Sequence, residues 1–109
     1  MATAYKVLGQ SNPAATTNTT LYTVPAATSA VVSSISICNQ TASAATYRIA
    51  IRPAGAAVAA QHWLVYGATV AASDTTILTV GLTLATTDVI TVYASTANLS
   101  FSAFGSEIS

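Results

Sequence analysis

The chain has 109 residues, enough for one domain with a single core and too few for two. Only 6% of the residues are charged and the formal net charge is zero, against roughly 25% charged in an ordinary soluble domain; about half of the chain is Ala, Thr or Ser. Lys6, Arg48 and Arg52 are the only cations besides a possible His62, too few to neutralise a phosphate backbone, so nucleic-acid binding is set aside.

Residues 4–10 read as a short first strand or an N-terminal arm, and Asn12-Pro13 punctuates a loop over 11–18. Residues 20–24 alternate, and Pro25 stops them because proline cannot donate to a ladder. The strongest signal runs from 31 to 53. Val31, Ile35 and Ile37 occupy odd positions with Ser34 and Ser36 between, and Tyr47, Ile49 and Ile51 alternate with Thr46, Arg48, Ala50 and Arg52. Period-two alternation puts successive side chains on opposite faces, so both runs are half-buried strands with the arginines outside. The polar stretch 39–43 between them predicts an antiparallel hairpin.

The Ala-rich residues 54–61 read as a loop or one irregular turn. Residues 61–66 form a strand with Trp63 and Val65 on one face, followed by a connection over 70–74. Residues 75–82 form a strand in which Gly81 marks a bulge. A turn at 86–88, a strand at 89–95, a tight connection at 96–98 and a last strand at 99–105 complete the chain. Seven or eight regularly spaced strands and no helix predict an all-β, two-sheet antiparallel β-sandwich, a single domain over 1–109 with an arm at about 1–18. Eight strands fit a jelly roll. Seven fit an immunoglobulin-like sandwich, but its Cys…Trp…Cys pattern is absent. The expected core is Val31, Ile35, Ile37, Tyr47, Ile49, Ile51, Trp63, Val65, Ile77, Val89 and Phe101.

The chemistry-bearing residues are few. A hydrolytic triad needs a nucleophile, a base and an orienter, and only His62 offers a base, so no enzyme is expected and no catalytic residue is named. Asp74 and Asp88 sit in Thr-rich turns where aspartate caps backbone amides. One cysteine, Cys38, allows no disulfide framework, and with His62 it supplies no metal set; no cofactor is expected. No secretion signal is visible, and no apolar run is long enough for a transmembrane helix, so no membrane partner is expected. Trp63, Tyr66 and Tyr93 could form a sugar-stacking platform, which keeps a carbohydrate-binding module as an alternative.

Sparse charge and zero net charge favour burial of the surface by copies or partners. Lys6, Arg48, Arg52, Phe104 and Glu107 are the expected subunit or shell contacts, with Glu107 a candidate partner for the arginines. Residues 1–10 and 104–109 are expected at other subunits, because Phe104 points opposite to Phe101 and cannot share its face.

The stretch L-Y-T-V-P-A-A-T-S-A-V-V-S-S-I-S-I-C-N-Q-T, followed by A-A-T-Y-R-I-A-I-R-P-A-G, resembles small structural proteins of tailed-bacteriophage virions. The later run T-T-D-V-I-T-V-Y-A-S-T-A-N-L-S-F-S-A-F-G-S-E carries the same likeness, which thus covers 21–107 as a pattern of strand and turn residues. The resemblance implies a β-sandwich displayed on a virion and made in the host cytoplasm. Its expected role is a head decoration (cement) protein, a homotrimer on the major capsid protein. A tail, baseplate or fibre component is the alternative.

Overall fold

The computed structural model describes residues 2–109; the contact expected of Met1 lies outside them. Eight strands carry the fold: β1 (Thr3–Ser11), β2 (Thr19–Thr23), β3 (Ser29–Asn39), β4 (Ala45–Arg52), β5 (Trp63–Val70), β6 (Thr75–Leu84), β7 (Val89–Ala94) and β8 (Leu99–Ile108). They form two four-stranded antiparallel sheets, ordered β1-β8-β3-β6 (sheet I) and β2-β7-β4-β5 (sheet II). The chain crosses between sheets at every connection except β4 to β5, which is the strand order of a jelly roll. Single 3-10 turns at Pro53–Gly55 and Ala60–His62 occupy the Ala-rich stretch.

The two sheets bury their facing side chains against each other. Ile35, Ile37, Leu99 and Phe101 come from sheet I; Tyr47, Ile49, Ile90 and Val92 come from sheet II. The Tyr47 and Phe101 rings meet edge to face across the core at 6.3 Å.

Three expectations need correction. First, β3 and β4 do not pair as a hairpin. They lie in different sheets and face each other across the core. Alternation specifies which face is apolar but not which strand lies alongside, and the short 40–44 connection spans the sandwich as readily as it closes a turn. Second, Val31 and Ile77 are not core: Val31 is 37% and Ile77 66% exposed. The register of β3 against both neighbours shifts between Val32 and Ser34, so Ala30 and Val32 point inward before the shift, and Ile35 and Ile37 after it. Val31 is left on the outer face. Ile77 pairs with Ser36, an outward position of β3. Third, Trp63 and Val65 do not share a face. A register shift between Ile49 and Ala50 sets Trp63 opposite Ala50 on the outer face, while Val65 packs on the core. Ile35, Ile37, Tyr47, Ile49 and Phe101 are buried as expected. Val89 is buried too, on the outer side next to Gly55 of the turn that covers it.

Close backbone approach explains two glycines. A Cβ on Gly105 would lie 2.0 Å from the Val31 carbonyl oxygen, and one on Gly9 would lie 2.1 Å from that of Leu21. Gly105 lets β8 lie against the irregular part of β3. Gly9 lets β1 close over β2, across the edge between the sheets.

Candidate functional site

The outer face of sheet I carries an apolar band. Val7 of β1 pairs with Phe104 of β8, and Ser106 of β8 pairs with both Tyr5 and Val31. This register gathers Tyr5, Val7, Val31 and Phe104 on one outward patch. Tyr5 is 86% exposed and Val7 47%. Tyr5, Val31 and Phe104 line an open groove of about 400 Å³ floored by Gly105. Phe104 thus points away from the buried Phe101, as its spacing predicts.

Lys6 and Glu107 lie behind this band. Lys6 Nζ donates to Glu107 Oε1 at 3.0 Å, and the Tyr22 hydroxyl donates to Glu107 Oε2. The trio ties β1 to β8 and both to β2 of the other sheet. The Tyr22 hydrogen bond first, and Lys6 second, hold the Glu107 carboxyl below its usual range. Burial, reinforced by Glu107, pushes the Tyr22 phenol well above the ordinary tyrosine value. Both Glu107 oxygens are therefore engaged within the chain, which leaves the carboxylate little to offer Arg48 or Arg52 of a neighbour.

The outer face of sheet II carries the two arginines, and they differ. Arg52 donates from Nε to Thr91 Oγ1 at 3.0 Å and from a terminal nitrogen to the Ala56 carbonyl at 3.0 Å, fastening the turn that follows its strand. Asp88 holds the same turn from below: Ala54 N donates to one of its oxygens and Ala85 N to the other. Arg48 does no such work. Its direct cross-strand partners are Tyr66 on β5 and Tyr93 on β7. Its guanidinium lies 4.1 Å from the Tyr66 ring centre and 4.2 Å from that of Tyr93, with Trp63 at 5.9 Å. Trp63 in turn meets Tyr66 edge to face at 5.2 Å. Cation–ring contacts of this kind contribute about 0.5–1 kcal/mol each at exposed sites. The three aromatics considered as a sugar platform are thus together, but an arginine lies over their rings. The sequence showed each of these residues; the strand pairing that joins them is not a local property.

His62 and the remaining aspartate have local roles. Ala59 N donates to His62 Nδ1 at 3.0 Å, and Thr75 N donates to Asp74 Oδ1 at 2.8 Å. Cys38 is free and half-buried. Among the described residues no group of three or more His, Cys, Asp or Glu could hold a metal ion. Among them, no helix is long and apolar enough to cross a membrane. Comparison with protein-family models, curated proteins and solved structures finds no match to this chain.

Proposed function

We propose that this chain is a non-enzymatic structural protein of a tailed-bacteriophage virion, a decoration protein that sits as a homotrimer on the outer face of the head and binds the major capsid protein. The observation that carries the proposal is the apolar band of Tyr5, Val7, Val31 and Phe104 on a chain with only 6% charged residues. Such a band on a sheet face suits a protein partner. The resemblance of 21–107 to virion proteins supplies the setting. The mechanism is added buried area across capsomer seams. Apolar burial contributes roughly 25 cal/mol per Å², reduced by the cost of ordering and desolvation. The sugar-binding alternative is disfavoured, because Arg48 covers the rings a sugar would stack on.

Heads lacking this protein should release DNA at lower temperature or weaker osmotic shock than complete heads. Depleted heads of equal robustness, with adsorption or infection lost instead, would replace decoration with a tail or baseplate role.

A further inference from the structure

The six charged side chains of this chain divide unequally. Lys6 and Glu107 bond each other. Arg52 and Asp88 are spent on the turn after β4. Arg48 and Asp74 remain. Arg48 donates no hydrogen bond to any described residue, and none of its unpartnered nitrogens is sealed from solvent. Asp74 is exposed and uses one oxygen for Thr75 N, leaving Oδ2 without a donor among the described residues. Among the described residues Arg48 is therefore the cation with no hydrogen-bond acceptor, and Asp74 the anion with one oxygen left without a donor.

Both are preorganised. Contact with the Tyr66 and Tyr93 rings restrains the Arg48 side chain before anything binds, and the fork of N–H donors on a guanidinium matches a carboxylate. The Asp74 side chain is held by Thr75 N, and its backbone carbonyl accepts from Asn39 N at 2.9 Å. Surface pairs between two mobile side chains contribute little because both must be ordered. Here that ordering is done by the fold. Yet the two cannot serve each other within one chain. Arg48 lies mid-strand on the outer face of sheet II, Asp74 lies in the turn between β5 and β6, and the one ion pair among the described residues is Lys6–Glu107.

We propose that Arg48 is the receptor for Asp74 of a second copy, each copy giving its turn carboxylate to one neighbour and taking another at its aromatic-bound arginine. The inference rests on the homo-oligomeric part of the function proposed above. A contact between two different patches is heterologous, and it closes into a ring where the rotation permits, as a trimer requires.

The test is sedimentation velocity over a concentration series, on the wild type and on Asp74→Asn, Arg48→Gln, Arg48→Asp, Asp74→Arg and the exchanged double variant Arg48→Asp/Asp74→Arg. Circular dichroism of each variant monitors the fold. Asp74→Asn retains the oxygen that accepts from Thr75 N, so it stays informative if an Arg48 variant misfolds. Asp74→Asn and Arg48→Gln should each weaken association about tenfold or more, the single reversals should leave monomers, and the double exchange should recover part of the association that each reversal loses. A wild-type oligomer unaffected by Asp74→Asn overturns this pairing while leaving the oligomeric reading intact. A wild type that is monomeric at every concentration overturns both.

Discussion

Asn39 ends β3 and is buried at 2% exposure. Its Nδ2 lies within bonding distance of the carbonyls of Ser43 (2.9 Å), Val70 (3.2 Å) and Ala71 (3.2 Å), two protons shared among three acceptors. Its Oδ1 accepts from the backbone and the hydroxyl of Thr41, both at 2.9 Å. One side chain thus joins the β3–β4 crossing to the β5–β6 turn at one end of the sandwich. Asn39→Ala deletes about four bonds of roughly 1 kcal/mol net each. Thr41 can turn to water, the Ser43 carbonyl keeps the Thr41 hydroxyl, and the Ala71 carbonyl keeps Asp74 N. The expected loss is therefore about 3 kcal/mol. For a domain of this size that lowers Tm by roughly 12–24 °C. Urea unfolding followed by Trp63 fluorescence and by far-UV circular dichroism measures it. Asn39→Asp should be worse near neutral pH than at pH 4, because it aims a carboxylate at carbonyl oxygens with no donor. A loss under about 1 kcal/mol for Asn39→Ala, the range of an ordinary surface change, would refute the claim that this residue staples the two connections.

Two further predictions follow from the packing. The folded state depresses the Glu107 pKa, so its contribution to stability is present above the ordinary carboxylate range and is lost as pH falls through the folded value. Tyr22 is shifted upward, so its contribution holds at neutral pH and begins to fall as pH passes the ordinary phenol value of about 10. Glu107→Gln should flatten the acid limb of a stability–pH profile, and Tyr22→Phe the alkaline limb, each measured by urea titration. Gly105→Ala would set a Cβ 2.0 Å from a carbonyl oxygen, whereas one on Gly81 meets nothing within 4 Å. Thermal melts should therefore show a large loss for Gly105→Ala and a change within about 0.5 kcal/mol for Gly81→Ala.

What the sequence disclosed was local. Proline stops, Thr-rich aspartate turns and alternation located the strands from β2 onward, left 4–10 open between a strand and an arm, and placed Arg48 and Arg52 outside. Pairing is not local, so the hairpin inferred for 31–53 became a crossing between sheets. Register shifts cost most. Each moves the alternation by one residue and exchanges faces, and strand glycines sit at several of them: Gly81 in β6, Gly67 in β5 and Gly9 in β1. The shift at Ser33 moved Val31 out and Val32 in, and β3 itself carries no glycine there; the glycines lie on its neighbours, Gly81 and Gly105. The one between Ile49 and Ala50 turned Trp63 outward to join Arg48. The contact between Arg48 and its tyrosines is a cross-strand relation over three strands, legible only once β4 is known to lie between β5 and β7.

Charge is scarce in this chain, and where it is placed bears on the proposed role. Four of the six charged side chains fasten the fold: Lys6 and Glu107 secure β1 to the rest, and Arg52 and Asp88 secure the turn after β4. The outward positions of sheet I are filled instead by hydroxyls, including Ser34, Ser36, Ser100, Ser102 and Thr79, beside the apolar band. A hydroxyl gives up water at lower cost than a carboxylate or ammonium, and it can donate or accept in whatever direction a partner requires. The groove between Tyr5, Val31 and Phe104 on this face is open rather than enclosed, so each contact made through it is weak. On a shell with many equivalent sites, weak contacts suffice if the molecule arrives already linked to its own copies, because the second and third contacts then form at high effective concentration. A decoration role therefore depends on oligomerisation before binding. An isolated subunit carrying this face would exchange on and off the lattice, while a trimer would stay.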